Sequence, residues 1–193
     1  MIQTENFEKV EVTSAAQLRH WLAANHVQEQ SIWLVTYKKH MGEKYVSRSQ
    51  VLDEVVCFGW IDGIGRKLDE DRTMQLLSPR RVKHWAKSYK ERAARLEQDG
   101  RMHHAGLAAI AESKRLGLWD VMDDVDALMM PDDLVEALKS RPPATENFDQ
   151  FSTSSRRNIL RWIKLAKTLD MRAKRIEQTA TLAARNEKVP QMS

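Results

Sequence analysis

The residues that could carry chemistry in this chain concentrate in the heptapeptide Cys57–Gly63, which reads Cys-Phe-Gly-Trp-Ile-Asp-Gly. It combines rare residue types with two glycines, which can adopt backbone angles closed to other residues. Gly59 and Gly63 therefore predict a sharp helix-to-strand turn that fixes the directions of Trp60 and Asp62. The heptapeptide indicates a place for a site, but it does not specify a reaction.

A second segment could complete a site for an anion. Residues 78–85 read Ser-Pro-Arg-Arg-Val-Lys-His-Trp, so that cations stand just before a predicted helix with free N–H groups. The candidate ligand-binding residues are Trp60, Asp62, Gly63, Arg66, Arg80, Arg81 and Trp85. The simpler alternative is that both tryptophans belong to the core and that Asp62 pairs with one of the two arginines to pin a hairpin.

Other residues with chemical potential give weaker signals. Cys57 lies near the C-terminal end of a predicted helix, where the dipole opposes a thiolate, so we interpret it as a buried structural cysteine. His103 and His104 are adjacent; on one helix their side chains would point about 100° apart and would not chelate one metal together. The chain has one cysteine and no His-Glu-x-x-His pattern. We therefore predict no metal, no cofactor and no catalytic residue.

The elements that must position these residues form an α+β arrangement in the N-terminal half. Residues 7–12 and 31–38 have the composition of strands, with Trp33 and Tyr37 assigned to the core, and residues 64–68 and 72–77 predict a hairpin. Helices are predicted after Ser14 and Ser47, because a glutamine follows each serine at the spacing of a capping box. We expect a small, mostly antiparallel sheet packed by helices.

From about residue 85 the periodicity predicts helices only. Apolar residues at 3–4 spacing predict one helix from about Trp85 to Gly100 and another from about Met102 to Gly117. An irregular acidic stretch and further helices follow, the clearest of them after Ser152. We divide the chain into an α+β body, 1–120, and an all-helical C-terminal region, 121–193, which we expect to pack on the body.

The net charge of +4 hides a segregation of charge in the C-terminal half. Residues 112–149 contain 10 acidic and 4 basic residues, whereas residues 150–193 contain 10 basic and 3 acidic residues. Segments of opposite sign favour internal pairing between helix faces. Nucleic-acid binding through the basic helices is the alternative, although these helices lack the interleaved aromatic and glycine residues of single-strand binders.

Composition and the terminal residues also bear on location. The first residues lack a basic segment followed by an apolar run, and no apolar stretch approaches the roughly 20 residues of a membrane helix. A lone cysteine fits a reducing compartment. We expect a cytoplasmic protein without membrane insertion, and the oligomeric state stays open.

Several segments of the chain resemble the YdeI/OmpD-associated family, also described as bacteriocin-protection proteins. The resemblance covers nearly the whole chain and runs through Tyr37-Lys38-Lys39-His40, the heptapeptide Cys57–Gly63, Ser78-Pro79-Arg80-Arg81, Gly100-Arg101-Met102, Pro131-Asp132-Asp133-Leu134, the segment Ser155–Ile163 and Arg175-Ile176. Around Trp85 the family tends to have Trp-Ser-x-x-Asn, whereas this chain has Ala86 and Tyr89.

The resemblance implies an association with resistance to antimicrobial peptides or bacteriocins and with an outer-membrane porin, without a defined reaction. Together with the residue patterns, it predicts a non-enzymatic stress-protection protein that binds a small anionic ligand or a peptide near Trp60, Asp62 and Arg80. An enzyme of unknown reaction that uses the same pocket is the alternative.

Overall fold

The computed structural model describes residues 6–189. The chain forms two compact units, Met1–Asp120 and Val121–Ser193. The N-terminal unit contains β1 (Lys9–Glu11), α1 (Ala15–Asn25), β2 (Ile32–Tyr37), a short 3-10 segment (Lys39–Lys44), α2 (Arg48–Cys57), β3 (Trp60–Lys67), β4 (Arg72–Pro79), α3 (Lys87–Gln98) and α4 (His104–Arg115). The C-terminal unit contains α5 (Asp123–Asp126), α6 (Asp132–Lys139), α7 (Ala144–Gln150), α8 (Thr153–Lys164) and α9 (Leu169–Ala184).

The strands of the N-terminal unit form one sheet in the order β1-β2-β4-β3. β1 and β2 are parallel, and the other two pairs are antiparallel. A helix connects β1 to β2, as a parallel connection requires, whereas β3 and β4 form the predicted hairpin. The arrangement confirms the α+β class with a small, mostly antiparallel sheet and a helical C-terminal half.

The predicted capping residues begin α1 and α2. The Ser14 hydroxyl accepts a hydrogen bond from the Gln17 amide, and the Gln17 side chain accepts one from the Thr13 amide. At α2 the capping box is complete, because Ser47 and Gln50 each accept a hydrogen bond from the other's backbone amide. These local bonds satisfy amides that would otherwise have no partner in the first turn.

The turn after α2 depends on one glycine rather than two. Gly59 has φ 71°, in the left-handed region, and ends the helix as predicted. Gly63 lies within β3, outside the left-handed region, where the register shifts between Asp62 and Gly65; a Cβ at Gly63 would lie 3.3 Å from the Leu76 side chain. The prediction that Gly63 helps to form the turn is therefore wrong, because the hairpin extends back to Trp60, which pairs with Pro79.

The core of the N-terminal unit is built from the sheet, α1, α2 and α3. Leu18, Leu34, Val55 and Leu77 are fully buried in it, and Trp33 is buried as predicted. Tyr37 is only half-buried, and its hydroxyl donates to the Glu11 carboxylate at 2.5 Å. The assignment of Tyr37 to the core is therefore wrong, because it lies at the last position of β2, where its hydroxyl reaches a polar partner.

The C-terminal unit has its own core, in which Leu134, Phe148, Ile159 and Ile163 are buried. Within this unit, acidic and basic residues from the two oppositely charged segments of the sequence form ion pairs. Ion pairs join the acidic segment to the basic one: Arg156–Asp149, Arg157–Asp126, Lys164–Asp124 and Arg172–Asp133. Internal pairing, the simpler of the two interpretations of the charge pattern, is thus present.

Across residues 6–189, every helix is too short or too polar to cross a membrane.

Candidate functional site

Both candidate tryptophans lie in the core. Trp60 is 1% exposed; its indole N–H donates to the His26 carbonyl at 3.1 Å, and its ring meets the ring of Trp21 edge-on at 5.7 Å between centroids. Trp85 is fully buried against Trp119, with centroids 5.3 Å apart. Neither ring has a surface free for a ligand, so both residues contribute packing instead of direct contact.

Asp62 is a buried carboxylate with three side-chain partners. One oxygen accepts hydrogen bonds from Arg48 at 3.0 Å and from Gln75 at 2.8 Å, and the other accepts one from the Tyr89 hydroxyl. Burial and this hydrogen bond raise the pKa of Tyr89, which stays a protonated donor at neutral pH. The predicted direct ion pair between Asp62 and Arg80 or Arg81 does not form, because Arg48, Gln75 and Tyr89 occupy the carboxylate.

Arg80 is held in an aromatic environment. Its guanidinium lies 3.9 Å from the centroid of the Trp85 ring and 5.3 Å from that of Tyr89, and one nitrogen donates to the His84 carbonyl at 2.9 Å. Its other two nitrogens are buried without a hydrogen-bond partner. Burial lowers the pKa of Arg80 to about 10, which still leaves it charged at neutral pH. The two ring faces, the His84 carbonyl and the negative charge of Asp62 stabilise the cation.

The remaining candidates separate in space. Arg81 is exposed and donates to the Glu29 carbonyl at 2.8 Å. Gly63 and Arg66 instead lie along an open cleft of about 590 Å³, and the Arg66 guanidinium stacks over the Trp33 ring at 5.1 Å. The structure therefore brings only Gly63 and Arg66 of the seven candidates to this cleft, while Asp62 lies behind it as the partner of Arg48.

The cleft lies between the end of β2, the β3–β4 hairpin and the segment that leads into α2. Five basic residues line it and no acidic residue does: Lys38, Lys39, Arg48, Arg66 and Lys67. We call this set the cationic cleft. Thr36, Thr73 and Gln75 add neutral polar groups, and Gly63 and Gly65 expose backbone where the register of β3 shifts.

The charges of the cationic cleft are only partly compensated. Arg48 contacts Asp62 and Lys67 contacts Glu70, whereas the Lys38 amine donates to the backbone carbonyls of Asp69 and Glu70 at 2.9 and 2.6 Å. Among residues 6–189, neither Lys39 nor Arg66 contacts a carboxylate. The cleft therefore keeps an excess of positive charge that an anion could neutralise.

Sequence reasoning missed four of the five cleft cations. Lys38 and Lys39 follow β2, and Lys67 ends β3, so they are distant in sequence and meet only because both strands pair with β4. A usable signal was present, because Lys38 ends the predicted strand 31–38 and Lys67 is the next-to-last residue of the predicted strand 64–68. Recognising it required the strand order, which the sequence pattern leaves open.

The predicted divergence of His103 and His104 is wrong. His103 precedes α4 as its N-cap with extended backbone angles, and only His104 is helical. Their ring centroids are 3.9 Å apart, and the ring of His26, at the end of α1, lies 4.7 Å from that of His103. Because the pair spans a helix boundary, the helical angle of about 100° per residue does not apply.

Cys57 is fully buried, and burial raises the pKa of its thiol despite the nearby Arg19. Two acidic neighbours on α2, Asp53 and Glu54, are also buried. Their carboxylates are paired with arginines from other elements: Arg95 at 2.7 Å from Asp53, and Arg19 and Arg101 at 2.8 and 2.6 Å from Glu54. These ion pairs hold α2 against the neighbouring segments. Separating a pair would leave a buried carboxylate without a partner, which is strongly destabilising.

The structure is that of a protein with an α+β unit, which bears a cationic cleft, followed by a helical unit. Residues 10–109 match a family model described as a domain of unknown function (DUF8412), and residues 127–186 match the model described as bacteriocin-protection, YdeI or OmpD-associated. The first match covers more than half of the chain, which belongs to that family; the second confirms the YdeI/OmpD-associated resemblance and places it in the C-terminal unit. No curated protein and no solved structure gave a significant match.

Proposed function

We propose that the N-terminal unit binds a small anionic ligand, one that carries phosphate or carboxylate groups, in the cationic cleft. The main support is that five basic side chains and no acidic one line a cleft with a volume of about 590 Å³. That volume falls within the range of about 300–1,000 Å³ for small-molecule sites. The proposal keeps the predicted ligand class and moves its location from Trp60 and Arg80 to the surface that includes Gly63 and Arg66.

The donors of the cleft suit oxyanions. Arg48 and Arg66 offer planar guanidinium groups that can bind a carboxylate or phosphate through two N–H groups, and Lys39 offers a mobile ammonium. The Arg66 guanidinium already stacks on Trp33, which limits its freedom and lowers the entropy lost when it binds a ligand. Charge-assisted hydrogen bonds of this type are roughly twice as strong as neutral ones.

Charge also decides between ligand classes. A cationic peptide would be repelled by this surface, so direct capture of a basic antimicrobial peptide here is not proposed. An acidic peptide segment or a phosphorylated small molecule would be attracted. A protective role of the kind named in the family description would then depend on such an anionic ligand and not on binding of a basic toxin.

The side chains that line the cleft suit binding better than catalysis. The cleft presents lysines, arginines, hydroxyls and an amide, which position and neutralise an anion. Cys57, whose thiol is a potential nucleophile, is buried in the core and does not line the cleft. We therefore propose a binding module.

Calorimetric titration with inorganic phosphate, a nucleoside triphosphate and an acidic peptide tests the proposal. We expect binding of at least one of these that weakens as salt rises, because salt screens the charges. Arg66→Gln and Lys39→Gln should each weaken it about tenfold, which corresponds to about 1.4 kcal/mol.

Arg81→Gln is the matched control, since it removes the same charge from an exposed site outside the cleft. It should leave the affinity unchanged. Binding that is lost in Arg81→Gln but kept in Arg66→Gln would contradict the cleft assignment, and no binding at millimolar anion in low salt would contradict the function.

A further inference from the structure

We propose that His26, His103 and His104 form a binding site for a divalent transition metal, with Zn²⁺ as the best-suited ion. The site is separate from the cationic cleft and does not depend on the anion-binding proposal. The three residues come from the end of α1 and the start of α4.

The three imidazoles converge on one point. One ring nitrogen from each residue lies within 4.8 Å of those of the other two. Zinc bound by histidine has Zn–N distances of about 2.0–2.1 Å, so tetrahedral ligands lie about 3.3 Å apart. The gap is about 1.5 Å at most, and rotation of the exposed His104 side chain would close much of it.

Backbone contacts hold the two chain segments in place. The His103 amide donates to the Cys57 carbonyl at 3.1 Å, and the His26 carbonyl accepts the Trp60 indole N–H at 3.1 Å. The Phe58 ring stacks against that of His103 with centroids 4.6 Å apart. Two of the three ligands are therefore positioned by the core, as a preorganised site requires.

The hydrogen bonds of His26 leave one nitrogen free to bind a metal. Its Nδ1 lies 3.2 Å from the carbonyl oxygens of Leu22 and Ala23, so Nδ1 carries the proton and donates, and Nε2 keeps its lone pair. A backbone carbonyl that fixes the tautomer in this way is the usual outer partner of a metal-bound histidine. Nδ1 of His103 accepts a long hydrogen bond from the Ala105 amide, 3.4 Å, so this nitrogen carries a lone pair, and a metal bound to it would replace that bond.

The charges around the three histidines fit a metal. The positive charge of Arg19, which acts on His103, is compensated by the Glu54 carboxylate at 2.8 Å. Three imidazole ligands without a thiolate suit Zn²⁺, Cu²⁺ or Ni²⁺, and His104 at the surface leaves a further coordination position open to solvent.

The test uses the full chain without an affinity histidine tag, after a chelator has removed any bound metal. Titration with Zn²⁺ against a chromogenic competitor should give one ion per chain at micromolar affinity or better. Co²⁺ should give the visible absorption bands of a four-coordinate nitrogen site. Zinc should also raise the thermal unfolding midpoint, because it binds only the folded chain tightly.

His104→Ala removes an exposed ligand without disturbing the core, and we expect it to weaken Zn²⁺ binding at least about tenfold. His20→Ala, an exposed histidine on α1, is the matched control and should bind as the wild type does. His26→Gln, directly after α1, is an independent variant and should also weaken Zn²⁺ binding at least about tenfold. Equal affinity of the wild type and His104→Ala, or no Co²⁺ spectrum at one equivalent of metal, would overturn the site.

Discussion

At the scale of single residues, Asp62 ties three elements together. Its carboxylate accepts hydrogen bonds from Arg48 of α2, Gln75 of β4 and Tyr89 of α3. The contributions differ, because the Arg48 side chain is 73% exposed whereas the Asp62 side chain is 6% exposed. An exposed ion-pair partner contributes about 0–1 kcal/mol, so the half-buried Tyr89 hydroxyl is the more important partner.

We expect Asp62→Asn to reduce the free energy of unfolding by about 1–3 kcal/mol, since it replaces an acceptor of three hydrogen bonds with a mixed donor and acceptor. Urea unfolding midpoints measure the effect. The change should be non-additive with Tyr89→Phe, because both remove the same bond, and additive with Arg81→Gln. Additivity with Tyr89→Phe would show that the two side chains do not interact.

At the scale of elements, close approach of α4 to the end of α2 sets the positions of both histidines at the start of α4. Gly106 is buried, and a Cβ there would lie 2.8 Å from the Val56 carbonyl oxygen and closer still to that of Cys57. Only glycine allows this contact, and it brings His103 within hydrogen-bond distance of α2.

Gly106→Ala should destabilise the protein by about 1–3 kcal/mol through overpacking. Helix propensity alone predicts the opposite sign, a gain of about 1 kcal/mol. The thermal unfolding midpoint of Gly106→Ala decides between these two expectations, since overpacking lowers it and helix propensity raises it. The control is Gly100→Ala, where the added Cβ meets nothing within 4 Å and only the left-handed backbone, φ 66°, is strained. A more stable Gly106→Ala would refute the close contact.

At the scale of the whole molecule, the charge pattern stabilises the C-terminal unit by pairing its segments. The Arg172 guanidinium binds the Asp133 carboxylate at 2.7 and 2.8 Å, and this hydrogen bonding lowers the pKa of Asp133. A carboxyl group whose pKa is lower in the folded state binds fewer protons there than in the unfolded state. Its contribution to stability is present above the unfolded pKa and is lost as the pH falls below that value.

We therefore expect the stability of the wild type to fall between about pH 5 and pH 3, in part through Asp133. Asp133→Asn should flatten this fall slightly, since an exposed pair contributes at most about 1 kcal/mol. Arg172→Gln should reproduce the change, because it removes the same pair. Urea midpoints across this pH range measure it, and an unchanged pH profile in both variants would contradict the assignment.

Local signals in the sequence determined much of the secondary structure. The capping serines Ser14 and Ser47 and the left-handed Gly59 mark element boundaries that the structure retains. These features act over a few residues, through hydrogen bonds between a side chain and nearby amides or through the angles of one backbone position. Neighbouring residues alone are enough to predict them.

Only the tertiary structure decided which side chains meet. Strand order brings Lys38 and Lys39 beside Arg66 and Lys67, and the packing of Gly106 on α2 brings His103 and His104 to His26. Asp62 bonds Arg48, Gln75 and Tyr89 instead of Arg80, because its position on β3 is set by pairing with β4 and by the helices packed against it. These contacts join residues far apart in sequence, and no local pattern encodes their distances, so the candidate sites became visible only in the folded chain.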